Sequence, residues 1–128
     1  MNGQPRFNCA LDATMSIIEG RWKSSILCLL ARNGEMRFNE ILNTIGKVSS
    51  RILSKQLKEL ERDRMINRRV DQNAAVKVTY SLTERGNSII PVLQSMALWG
   101  IENQFVNIVQ IEGAANTNEE SVPAAQIT

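Results

Sequence analysis

The spacing of apolar residues changes character at Ile66, and that change limits the folds open to this chain. Before it, apolar side chains recur at helical intervals. They lie at 11, 15, 17 and 18, then at Trp22, Ile26, Leu27, Leu29 and Leu30. Phe38, Ile41, Leu42 and Ile45 form a third set, and Val48, Ile52, Leu53, Leu57 and Leu60 a fourth. After it, residues 66–70 and 76–82 alternate with period two, as strands do. Asp71-Gln72-Asn73-Ala74 supplies turn residues between them, so a β-hairpin is expected. Val76, Val78, Tyr80 and Leu82 would share one face of it, and Lys77, Thr79 and Ser81 the other. Helical spacing then returns through Ile89, Ile90, Leu93, Met96, Ala97, Trp99 and Ile101, with Thr83 placed to cap the helix and Pro91 placed to bend it slightly.

Gly20, Gly34 and Gly46 each follow a helical set, where a left-handed C-terminal cap is expected. Ser49 or Ser50 is the expected N-cap of the fourth helix, which runs to about Asp63. The predicted fold is mainly α with a small β-hairpin: a winged helix-turn-helix domain flanked by N- and C-terminal dimerisation helices. Residues 1–8 read as an arm, 9–111 as the domain, and 112–128 as a disordered acidic tail. Apolar surface continues through Phe105, Val106, Ile108, Val109 and Ile111, more than one small core needs.

Composition excludes several functions. There is no histidine and there are only two cysteines, Cys9 and Cys28. That argues against Cys/His zinc sites, histidine-based triads and a disulfide scaffold. No glycine-rich phosphate loop occurs, so neither a catalytic residue, nor a metal, nor a cofactor is expected. No apolar run nears the ~20 residues of a membrane span and no signal-peptide layout opens the chain, so cytoplasmic residence is the expectation.

The net charge of +2 is unevenly spread. Residues 47–69 hold eight basic residues against Glu59, Glu61 and Asp63, leaving +5 in one segment. The fourth helix would bury Ile52, Leu53, Leu57 and Leu60 and turn Ser49, Ser50, Arg51, Ser54, Lys55 and Lys58 outward. A major groove about 12 Å wide admits one such helix, and arginine can fork onto guanine there. Arg68, Arg69 and Lys77 on the hairpin would flank the phosphate backbone or the minor groove. The expected partner is double-stranded DNA. A solvated basic face, or a winged helix that docks an acidic protein, is the alternative.

Several motifs resemble the HxlR-type winged-helix transcriptional regulators of bacteria and archaea. They are Gly20-Arg21-Trp22-Lys23, Arg37-Phe38-Asn39-Glu40-Ile41, SSRILSKQLKELE, Tyr80-Ser81-Leu82-Thr83-Glu84-Arg85-Gly86, Cys9 and Trp99-Gly100, in the same order over residues 7–103. The resemblance implies a homodimer on a palindromic operator, repressing or activating nearby genes. It makes 49–63 the recognition helix, 66–82 the wing with its tip at 72–75, and the first and last helices the dimer contact. Leu93, Met96 and Trp99 are the dimerisation candidates. In some relatives a cysteine near the N-terminus senses oxidants or electrophiles. Cys9 is therefore either such a switch or a small, partly buried apolar residue, and an effector is open. The chain departs from the family at Arg64, where a glycine is usual, and at Asn73-Ala74-Ala75, where prolines are common. Arg64 must either adopt a left-handed conformation, at a cost of about 1 kcal/mol, or give the joint another shape.

Overall fold

The computed structural model describes residues 6–73 and 77–103. Five helices and three strands follow in the order α1 (Ala10–Ile18), α2 (Lys23–Asn33), β1 (Met36–Arg37), α3 (Phe38–Ile45), α4 (Ser50–Arg62), β2 (Ile66–Asp71), β3 (Lys77–Leu82) and α5 (Glu84–Asn103). Residues 74–76, which include part of the expected wing tip, the apolar run at 105–111 and the acidic tail lie outside the described residues.

The core gathers on α2, which buries Ile26, Leu27, Leu29 and Leu30 in succession. Ile41 from α3, Leu53, Leu57 and Leu60 from α4, and Ile66 from β2 close around it. Transfer of such side chains from water contributes roughly 1.5–3 kcal/mol each, which is what seats the helices. Leu93 joins this core from α5.

The hairpin is part of a three-stranded antiparallel sheet of order β1-β3-β2. The two-residue β1 is too short to show a period, so only the hairpin is predicted from spacing. Met36 lies opposite Tyr80, and Ile66 opposite Leu82. Pairing β1 to β3 ties the entrance of α3 to the wing and fixes the helix-turn-helix against it.

Two of the three expected glycine caps form, Gly34 at φ 86° and Gly46 at φ 79°, each donating its N–H to the carbonyl four residues back. Gly20 does not cap α1, because Glu19 already ends that helix in extended conformation. Its φ of 144° serves another purpose: the stem of Lys23 lies so close that a Cβ there would sit 3.1 Å from Cδ. α5 runs through Pro91 without interruption.

The joint after α4 resolves the question of Arg64, which takes the left-handed conformation with φ 63°. The Arg64 N–H donates to Glu61 O and the Met65 N–H to Leu60 O, both at 2.9 Å, the paired closure of a Schellman motif. α5 braces this turn from outside. The Thr83 N–H donates to Met65 O at 3.1 Å, and its hydroxyl lies 2.8 Å from Arg64 O. Arg85 Nε donates to Asp63 O at 3.0 Å.

Candidate nucleic-acid interface

α4 begins where Ser49 Oγ accepts the Ile52 N–H at 3.1 Å, closing one of the free amides of its first turn. Leu53, Leu57 and Leu60 face the core and leave the opposite side outward. Ser49, Ser50, Arg51, Lys55 and Lys58 are exposed, and Ser54 is half-buried. The expected polar face is therefore present on a helix that is locked from beneath.

Ile52 departs from expectation. It remains 39% exposed and does not anchor the helix. One position before Leu53, it falls on the flank of the helix, between the buried stripe and Lys55.

Spacing also misses the contacts along this same flank of α4. Lys23, at the first turn of α2, is 3% exposed and its Nζ lies 2.7 Å from Glu59 Oε1. The other carboxylate oxygen faces Lys55 Nζ at 3.6 Å. The hydrogen bond from Lys23 comes first among the causes that hold the Glu59 carboxyl below its ordinary range. Gln56 Oε1 accepts the Trp22 N–H at 3.0 Å. No sequence signal reveals these pairs, because lysine is ordinarily exposed and the partners lie more than thirty residues apart.

The wing's basic residues are not on one face. Arg69 and Lys77 share a face, through the pairings Arg69 with Thr79 and Asp71 with Lys77, while Arg68 lies opposite Tyr80 on the other. Arg69 Nη2 is 3.0 Å from Glu35 Oε2, in the turn before β1, so this guanidinium already has a carboxylate partner. Asp71 Oδ1 accepts the Asn73 N–H at 3.0 Å, an Asx turn that starts the wing's bend.

Among the dimerisation candidates, Leu93 is buried in the core of its own chain, whereas Met96 and Trp99 are exposed. Val92, Met96 and Trp99 fall at i, i+4 and i+7, one stripe of α5, and Phe7 and Leu11 are exposed at the start of the chain. Trp22 is instead half-buried against the core, with the Arg21 guanidinium 4.7 Å above its ring.

The two thiols differ. Cys9 is exposed at the residue preceding α1, which removes the partly buried reading. Cys28 is buried in α2, and burial pushes its thiol up to about 11, Arg32 opposing. Among the described residues no His/Cys/Asp/Glu cluster suited to a metal ion occurs, and no helix is long and apolar enough to cross a membrane.

These features match known proteins closely. Residues 17–107 match the family model of the HxlR-like helix-turn-helix. An uncharacterised HTH-type transcriptional regulator of Methanothermobacter thermautotrophicus is 40% identical over 98 residues, covering 77% of this chain and 74% of that protein. YdeP, an uncharacterised HTH-type regulator of Bacillus subtilis, is 39% identical over 112 residues, 88% of this chain and 86% of its own. The redox regulator HypR in its oxidised form superposes with a TM-score of 0.70 at 36% identity, over 77% of this chain and all of that one. With its winged helix-turn-helix and this degree of likeness, the chain belongs to the HxlR-like helix-turn-helix family of DNA-binding transcriptional regulators.

Proposed function

We propose that this regulator acts as a homodimer and reads a palindromic operator with α4 as recognition helix. The observation that carries the reading is the basic, hydroxyl-rich face of α4, held outward by three leucines buried beneath it. Ser50, Arg51 and Ser54 meet base edges, with Arg51 the candidate for forked bonding to guanine, and Lys55 beside them meets a phosphate. Ser49 and Lys58 hold phosphates at the ends of the contact. On the wing, Arg68 and Lys77 reach phosphates from opposite faces, and Arg69 does so only by sharing Glu35.

The exposed stripe of Val92, Met96 and Trp99 supports a two-fold contact between C-terminal helices. Such symmetry carries two recognition helices to half-sites about one DNA turn apart. Selection of bound fragments from a random DNA pool tests the whole reading. An enriched palindrome with that half-site spacing is expected; no enrichment would favour a winged helix that docks an acidic protein.

A second reading rests on Cys9. Its exposure, together with the likeness to the redox regulator HypR, supports a thiol whose oxidation changes DNA affinity. Cys28, buried and held protonated, is the internal control. Oxidant-dependent DNA binding should vanish in Cys9→Ser and persist in Cys28→Ala; persistence in Cys9→Ser would remove Cys9 as the switch.

A further inference from the structure

Lysine is among the residues least often buried, and a buried ammonium must be compensated where it lies. Lys23 is 3% exposed, and its one ion-pair partner among the described residues is Glu59 of the recognition helix. The chain accommodates it by an unusual device: Gly20, at φ 144°, leaves open the space along which the lysine stem runs inward. The neighbouring Trp22 N–H holds Gln56 of the same helix. Thus residues 20–23 grip one flank of α4 at two positions one turn apart, Gln56 and Glu59.

Glu59 is a carboxylate within a helix proposed to face phosphates, where its charge alone would repel DNA and capture a neighbouring cation. Lys23 occupies Oε1 at 2.7 Å, a charge-assisted hydrogen bond. Lys55 stands 3.6 Å from Oε2, beyond hydrogen-bond distance, and its side chain is 69% exposed. An exposed pair of this kind is weak and readily exchanged for a phosphate.

We propose that Lys23 is a positioning residue for DNA reading: its buried ammonium neutralises Glu59, which seats the recognition helix and leaves Lys55 free to bind DNA. This rests on the proposed role of α4. Without Lys23, the full charge of Glu59 faces Lys55, which closes onto the carboxylate and is withdrawn from the interface.

The test uses the full chain, with salt-dependent binding to the selected operator and to random DNA for wild type, Lys23→Met, Glu59→Gln and the double variant. In Lys23→Met the slope of log affinity against log salt should fall by about 0.9 for each α4 on the DNA, one phosphate contact per protomer and about 1.8 for the dimer. Adding Glu59→Gln removes the captor and should restore the slope. A residue that only stabilised the fold would lower the melting temperature and leave the slope of the folded protein unchanged. A folded Lys23→Met with the wild-type slope, or a double variant that fails to recover it, overturns the proposal. Should Lys23→Met not fold, Glu59→Gln alone decides: its operator-to-random ratio falls if the grip seats the helix, and an unchanged ratio overturns it. NMR titration of Glu59 without DNA separates this proposal from the DNA reading. In Lys23→Met its carboxyl should rise toward the ordinary range without reaching it, because Lys55 stays beside it, and an unchanged titration overturns the clamp. A wild type that binds no DNA would sink the role of α4 instead.

Discussion

Ile52 and Leu53 are adjacent on α4 and live in opposite surroundings. Leu53 is fully enclosed by the core, so Leu53→Ala should cost about 2–5 kcal/mol in denaturant unfolding, cavity included. Ile52 is 39% exposed and alanine is the better helix former, so Ile52→Ala should cost under about 1 kcal/mol. Equal losses would mean that the helix is rotated from the orientation described. The same logic separates two arginines. Arg51, on the outward face of α4, should on truncation cost about 1–3 kcal/mol of preference among sequences. Arg68, on the edge of the wing, should on truncation weaken binding to all sequences alike and lower the salt slope by about one per bound protomer. Equal loss on operator and random DNA for Arg51→Ala would refute base reading by that residue. The outward face of α4 is legible in sequence because exposure follows the 3.6-residue period. Lys23 is not legible, since its burial depends on a carboxylate thirty-six positions away and on the room left by Gly20.

At the scale of elements, α3 and α4 are readable almost to the residue, because each has a regular apolar stripe and a terminal signal: Gly46 after one, Ser49 before the other. β1 is invisible for the opposite reason; two residues carry no period, and what makes them a strand is the neighbouring β3. The joint between α4 and the wing combines both cases. Its departure from family pattern is visible as Arg64, yet the reason it is tolerated lies in α5. Thr83 and Arg85 fasten the turn's carbonyls, and Gly86 approaches so near that an added Cβ would overlap the Met65 carbonyl oxygen. Gly86→Ala should therefore destabilise the domain by about 1–3 kcal/mol, as overpacking against backbone does. Arg64→Gly should stabilise it by roughly 0.5 kcal/mol, relief of the left-handed strain being partly offset by a freer unfolded chain. Chemical denaturation of both variants checks the pair; a destabilised Arg64→Gly would mean that the arginine side chain itself holds the joint.

For the whole molecule, charge and apolar surface are segregated. Basic groups concentrate on α4 and the wing, whereas six of the eight exposed large apolar side chains among the described residues lie on α5 and at the start of the chain, Ile52 and Val70 being the exceptions. A monomer would present both surfaces to water, and Trp99, 59% exposed, would be a costly side chain to leave there. The proposed pairing through α5 would cover the second surface and leave the first facing outward in two symmetric copies. Trp99→Glu should then leave the core of each chain intact, because the side chain contributes little to it, while placing like charges against one another across the two-fold axis. Sedimentation should show the wild type as a dimer at micromolar concentration and Trp99→Glu as a monomer with unchanged helix content. Operator affinity should fall by far more than affinity for a single half-site, since linking two recognition helices multiplies binding through effective concentration and adds no new contact. A variant that is monomeric yet retains full operator affinity would show that one α4 suffices, and the palindrome would lose its structural basis. A variant that remains dimeric would move the interface off this stripe of α5.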